Sequence, residues 1–338
     1  MFRKISVKLL CLLCAGLALN GQTEDRFLVV ASASMFADMA EVIGGDLIEV
    51  KMIVPVGGDP HIYEPTPSDV QLVAQADLVL RNGLTFEGWI DELVVNSGFT
   101  GQITTITKGI DVIESDIHEN SADPHAWMST RNGLIYIQNI RDALVTLVPE
   151  YEAEFNFNYK IYRQQLEDLD KEIEETLSAI PRHKRILITS HDAFRYFGRR
   201  YGVQVEAVLG TSTDADVQTS DIRRLTRVLQ ESEVPALFIE STINPKLLKV
   251  LAKDNNVIIG GSLYADSLGD KDGPAGTYLE MLRHNAHTIA EGLSLDKQTL
   301  NHEEEEENTM QNYLLFGFIL FIMVGSFFFM VVKLNTGA

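Results

Sequence analysis

Cysteine is nearly absent. The 338 residues contain two, Cys11 and Cys14, and both fall in the first apolar stretch of the chain. Once a leader over 1–21 is removed, no thiol remains. Disulfides and thiolate metal ligands are thereby excluded, and any metal site has to use His, Asp or Glu. Basic residues are also scarce: 28 Lys and Arg stand against 48 Asp and Glu, for a net charge of −20. Phosphate backbones need clustered cations, so a nucleic-acid partner is excluded. Three motifs are missing as well. There is no Gly-x-Gly-x-x-Gly, no Gly-x-x-x-x-Gly-Lys-Ser/Thr and no His-Glu-x-x-His. Nucleotide binding and the commonest zinc-hydrolase arrangement lose their sequence support. No internal repeat is strong enough to use.

The two ends are unlike the rest. Arg3, Lys4 and Lys8 precede the apolar run Leu9–Leu19, which is too short to span a bilayer. This is the pattern of a secretory signal, with cleavage after Ala18 or Gly21. Cys14 offers a lipidation site, but Leu13 stands where a small residue is expected. At the other end, Tyr313–Val332 carries no charge and is long enough to cross a hydrocarbon core. Glu303–Glu307 precedes it and Lys333 follows it. The expectation is a C-terminal transmembrane anchor over 313–332, behind an acidic linker over 298–312, with its C-terminus in the cytoplasm. A buried core helix is the alternative.

Between the ends, hydrophobic content of 45% supports real cores, and the length suggests about two domains. Short β-branched runs predict strands at 27–31, 47–55, 78–82 and 102–106, then at 185–189, 203–208, 236–240 and 257–260. Helical stretches at 35–43, 67–75, 220–231 and 246–254 alternate with them, which is α/β patterning with mainly parallel sheets. Phe155, Tyr159, Tyr162, Leu166, Leu169, Ile173 and Leu177 recur at steps of four and three. They mark one face of a long helix between Pro149 and Pro181. The expected organisation is an N-terminal lobe over 22–149, a rigid connecting helix over 150–180 and a C-terminal lobe over 181–297.

The histidines carry the chemistry. His61 stands in Gly-Gly-Asp-Pro-His, His125 in Ala-Asp-Pro-His-Ala-Trp, and His191 in Thr-Ser-His-Asp at a predicted strand end. Asp266 lies beyond the last predicted strand. Each is more than 60 residues from the next, so no local loop holds all four, and a cleft between two domains is the simplest way to bring them together. C-terminal strand ends are where α/β sheets place ligands. His118, in a polar stretch, has at most a peripheral part in metal capture. His284 and His287 share a helix face without a third partner, His183 reads as a solvated turn, and His302 belongs to the linker.

Five stretches resemble the metal-specific solute-binding proteins of bacterial ABC importers, the zinc and manganese cluster. They are Val-Gly-Gly-Asp-Pro-His-Ile-Tyr-Glu-Pro-Thr-Pro-Ser-Asp (56–69), Asp-Pro-His-Ala-Trp-Met-Ser (123–129) and Ser-His-Asp-Ala-Phe-Arg-Tyr-Phe (190–197). Phe-Ile-Glu-Ser-Thr-Ile-Asn-Pro-Lys (238–246) and Gly-Gly-Ser-Leu-Tyr-Ala-Asp-Ser-Leu-Gly (260–269) complete the set. The resemblance implies two α/β lobes with metal in the cleft between them, and ligands at His61, His125, His191 and Asp266. It implies delivery to a permease driven by a cytoplasmic ATPase, after capture outside the cytoplasmic membrane. A monomeric binding domain is expected, and no enzyme, because four protein ligands would close the coordination sphere. In that family the third ligand varies between glutamate and histidine. Here it is His191, so three imidazoles and a carboxylate favour Zn²⁺, with Mn²⁺ as the alternative. A zinc hydrolase using Glu64 or Glu240 as base and a surface adhesin are the competing readings. Neutral imidazoles bind metal, so affinity is expected to fall below about pH 6.5.

Overall fold

Phe27-Leu-Val-Val-Ala carries no polar side chain, as suits a strand covered on both faces. It forms β1 (Phe27–Ala31), a central strand of a parallel sheet with β2 (Ile48–Met52), β3 (Leu78–Arg81) and β4 (Gln102–Thr105), in the order β2-β1-β3-β4. The computed structural model describes residues 26–114, 122–214 and 217–295, together with Gly325. Strand periodicity divides the apolar residues between two layers. Val29, Ala31, Leu78 and Leu80 face the main core, while Val30 and Val79 join Ile53, Val73, Ile90 and Leu93 on the other side. Helices α1 (Ser34–Gly44), α2 (Pro67–Gln75) and α3 (Ile90–Ser97) connect the strands. Pro67 opens α2, and Asp69 Oδ2 accepts a 2.7 Å hydrogen bond from the Thr66 N–H, satisfying a free donor at the helix start.

After α4 (Thr130–Leu147) comes α5 (Glu152–Ser178), 27 residues long. Its buried residues are Phe155, Tyr159, Tyr162, Leu166, Leu169, Ile173 and Leu177, the stripe predicted from the spacing. The second lobe pairs β5 (Ile186–Thr189) with β6 (Gln204–Ala207), and β7 (Ala236–Glu240) with β8 (Ile258–Leu263), both in parallel. β5 and β7 lie side by side. Helices α6 (Arg195–Tyr201), α7 (Thr219–Glu231), α8 (Lys246–Asp254) and α9 (Tyr278–Ser294) pack around them. Gly260 and Gly292 let α9 approach β8 closely. A Cβ on Gly292 would come within 2.7 Å of the Phe238 ring, and one on Gly260 within 2.8 Å. α5 packs on α1 and α4 of the first lobe and on α6 and α9 of the second, so one apolar stripe serves both.

Two α/β lobes with parallel sheets are therefore present, and one part of the expected architecture needs correction. No helix among the described residues is long and apolar enough to cross a membrane. The longest, α5, has a heavily charged outer face. The anticipated C-terminal transmembrane helix over 313–332 lies outside the described residues, Gly325 apart, and is withdrawn from the fold together with the membrane tether and cytoplasmic C-terminus that rested on it. The leader over 1–21 and the linker over 298–312 also lie outside.

Leu166 is fully buried at the middle of the shared stripe. Leu166→Ala is expected to lower the unfolding free energy by about 2–5 kcal/mol, read from urea titration by circular dichroism. A loss below about 1 kcal/mol would contradict the role given to α5.

Candidate metal centre

The two Asp-Pro-His segments fold into the same local turn. Asp59 Oδ1 accepts from the His61 N–H at 2.9 Å, and Asp123 Oδ1 accepts from the His125 N–H at 3.0 Å. An aspartate that bonds the backbone two residues on makes a side-chain mimic of a turn, and the intervening proline has no N–H to compete. Beyond that shared turn the two diverge. Asp123 Oδ1 also lies 2.8 Å from His125 Nδ1, whereas the free oxygen of Asp59 accepts from Thr213 of the other lobe at 2.6 Å.

The first turn hangs from the loop after β2, where the Trp89 indole donates to Pro60 O at 2.8 Å. The second is held from the end of β3, where Asn82 Nδ2 donates to Pro124 O at 3.0 Å. Buried Glu87 fixes that strand end in turn, accepting from the N–H groups of Asn82 and Gly83 at 2.7 and 3.0 Å.

In the second lobe, His191 leaves the C-terminal end of β5 and Glu240 ends β7 beside it. Glu240 Oε1 accepts from the His191 N–H at 2.9 Å, and Oε2 lies 2.6 Å from His191 Nδ1. Asp123 hydrogen-bonds His125 Nδ1, and Glu240 sits beside His191 Nδ1 as an ion-pair contact without an aligned hydrogen bond. Both carboxylates favour a proton on Nδ1 and so favour Nε2 as the electron-pair donor. Metal-binding imidazoles are commonly oriented in this way. Asp266 follows β8 by three residues, and Trp127 Nε1 braces its neighbour by donating to Ala265 O at 2.9 Å.

The fold brings the four predicted residues together. One donor atom from each of His61, His125, His191 and Asp266 lies within 4.8 Å of all the others. His125 Nε2 is 3.2 Å from both His61 Nε2 and His191 Nε2. Asp266 Oδ2 is 3.1 Å from His191 Nε2 and 3.9 Å from His61 Nε2, while Oδ1 is 3.4 Å from His125 Nε2. A tetrahedral ion with bonds of about 2.0–2.1 Å would set its donors about 3.3–3.4 Å apart. Neither oxygen of Asp266 accepts a well-aligned hydrogen bond. Buried polar atoms are normally satisfied, and a cation at the centre of the ring would satisfy these.

Burial and charge act differently on the three imidazoles. Burial pushes His61 down to about 3. Burial also opposes the charge on His125, but the carboxylates of Asp123 and Asp266, one beside each ring nitrogen, outweigh it and lift the ring to about 9. His191 is likewise desolvated, yet Glu240 and Asp266 hold it well above the usual imidazole range. Asp266 stays well below the usual carboxylate range, because the imidazoles overcome its own desolvation. Phe86 and Trp127, both fully buried, pack against the rings, with centroids 5.0 Å from His61 and 5.3 Å from His125 respectively.

Phe86, Trp89 and the orienting roles of Asp123 and Glu240 were missed in the sequence. Only the Asp-x-His spacing could have signalled Asp123. His284 Nε2 donates to Ser262 O, 3.1 Å away, and His287 and His183 contact Glu172 and Glu233 at 3.5 and 3.3 Å, all apart from the ring. His118 and His302 lie outside the described residues.

A model of the family described as ZnuA, zinc-uptake complex component A, periplasmic, matches residues 29–292. The chain belongs to this family. It is 36% identical over 278 residues to the metal ABC transporter substrate-binding lipoprotein SsaB of Streptococcus sanguinis, covering 80% of this chain and 90% of that protein. It is 35% identical over 289 residues to the manganese ABC transporter substrate-binding lipoprotein PsaA of Streptococcus anginosus, covering 83% and 94%. Among solved structures, the periplasmic zinc-binding protein TroA of Treponema pallidum superposes with a TM-score of 0.76 at 33% identity, over 80% of this chain and all of that one. As a ZnuA-family protein the chain captures a divalent metal ion for an ABC importer, with a permease and an ATPase as partners, and it is not an enzyme.

The raised imidazoles set the pH dependence. Protonation of His125 stabilises the metal-free protein fully below about pH 6.5, and this stabilisation is lost as pH rises through about 9. His191, also held above the usual imidazole range, acts in the same direction. A bound cation displaces those protons, so its effect has the opposite sign. His61, neutral throughout that window, adds nothing. The metal-induced rise in Tm at fixed free metal is therefore expected to keep growing from pH 6.5 to 9, instead of levelling at 6.5. An increment that is flat across that window would contradict this electrostatic assignment.

Proposed function

We propose that His61, His125, His191 and Asp266 together hold one Zn²⁺ ion, captured outside the cytoplasmic membrane for transfer to the permease. The observation that carries this reading is the buried ring of donors within 4.8 Å of one another, with two of the imidazoles oriented by carboxylates. Three nitrogens and one carboxylate suit a borderline-soft ion, and zinc outranks manganese at such donors in the general order of divalent affinities. The N-terminal leader supports export. A lipid of the kind the relatives' names state would sit on Cys14, and the leader would then end at Leu13 instead of Gly21.

Manganese is the second reading. Both oxygens of Asp266 face the imidazoles, at 3.4 and 3.1 Å from the nearest nitrogens, which supports bidentate and therefore oxygen-richer coordination. The relative named for manganese points the same way.

Competition titrations separate the two. Wild-type protein is expected to bind one equivalent of metal, with Zn²⁺ tighter than Mn²⁺ by on the order of a hundredfold or more. His191→Glu should reduce that ratio at least tenfold by replacing a nitrogen with an oxygen donor. Equal affinities in the wild type, or an unchanged ratio in the variant, would overturn the zinc reading.

A further inference from the structure

The four donors are not held equally. His125 is oriented by Asp123 of its own lobe at 2.8 Å, and His191 by Glu240 of its own lobe at 2.6 Å. Among the described residues, no carboxylate other than Asp266, 3.9 Å from Nε2, contacts the ring of His61. Its backbone N–H rests on Asp59 Oδ1 at 2.9 Å, and the other oxygen of Asp59 is held by the Thr213 hydroxyl at 2.6 Å. Thr213 belongs to the opposite lobe, on the segment after β6. A second bond crosses nearby. The Gly57 N–H donates to Ser267 Oγ at 2.7 Å, and Ser267 adjoins Asp266. Ser34 joins the same crossing, accepting from the Leu268 N–H at 2.9 Å. The loop that carries His61 is thus fastened at Gly57 and at Asp59 to the lobe it does not belong to. His61 is also the one donor residue of the four that is not fully buried.

We infer that Thr213 and Ser267 are positioning residues for metal release: they hold the His61 loop closed from across the cleft, so that His61 is the first donor to leave. The inference rests on the ligand reading above. The order of release follows from which bonds break when the His61 loop lifts from the second lobe while α5 keeps the lobes in place. Lifting breaks Asp59–Thr213 and Gly57–Ser267, both of which bear on His61. It leaves Asp123–His125 and Glu240–His191 intact, because each lies within one lobe. The ion then keeps three donors briefly and has one position open toward the rim, where a receiving group can enter. Closing reverses the order, since the two fixed imidazoles and Asp266 are in place before the loop is fastened.

Stopped-flow transfer of Zn²⁺ from the purified full chain to EDTA tests this. Thr213→Val removes the hydroxyl at nearly constant volume and leaves Asp59 unsatisfied. Its dissociation rate should rise on the order of ten- to a hundredfold, the scale of one hydrogen bond to a charged group. The association rate should stay within about threefold, because the other three donors are unchanged. Thr213→Ser should restore the wild-type rate. Ser267→Ala, which strips the Gly57 N–H of its partner, provides the same readout if the valine variant does not fold. Arg199→Gln serves as control. It removes a cross-lobe bond to Asp111 O, 2.8 Å long, that does not touch the His61 loop. It should release zinc at the wild-type rate.

An unchanged dissociation rate in Thr213→Val and Ser267→Ala would overturn the inference. So would equal acceleration by Arg199→Gln, or a loss of affinity that resides in association. If His61→Ala binds zinc as tightly as wild type, the ligand reading itself fails, a different outcome from the first three.

Discussion

Asp266 keeps a negative charge out of water, with no well-aligned hydrogen bond to either oxygen. An uncompensated buried carboxylate costs several kcal/mol, so its surroundings have to supply positive charge. In the metal-free protein, protons on His125 and His191 supply it, and the raised imidazoles are the electrostatic counterpart of the lowered carboxylate. On the proposed ligand reading a divalent cation would do the same more completely, protons and metal would compete for one buried charge, and capture would be coupled to pH through that competition.

Much of the fold follows from keeping this charge enclosed. The carboxylate comes from one lobe with His191, while His61 and His125 come from the other, so closure of the lobes completes the ring. α5 presents one apolar stripe to both lobes and holds them at a fixed spacing. Phe86 and Trp127 line the imidazoles and keep water from the rings. Asp123 and Glu240 each direct an Nε2 inward. The strand ends do the coarse placement, and these carboxylates do the fine placement.

The sequence carried the local parts of this well. Strand β1, helices α2 and α8 and the buried face of α5 were readable because hydrophobic period and capping are local signals. The three clustered histidines were readable because Asp-Pro-His occurs twice and Ser-His-Asp ends a strand. What escaped was non-local. Glu240 lies 49 residues from His191, and nothing near either residue announces their bond. Asp59 and Asp123 look identical in sequence, yet one reaches across the cleft and the other turns to its own histidine, a difference set by where Thr213 falls. Helix α4 was passed over because Asn132 and Gly133, buried near its start, interrupt the apolar period. The ordinary imidazole value near 6.5 holds for none of the three: carboxylates brought in by the fold raise His125 and His191, and burial lowers His61.

The account depends on one ion held by three imidazoles and a carboxylate. X-ray absorption of the zinc-loaded protein tests this most directly. The predicted spectrum has a nitrogen and oxygen shell at about 2.0–2.1 Å, with outer-shell scattering from three imidazole rings. A shell with one imidazole or none, or one dominated by oxygen at longer distance, would contradict the site described here.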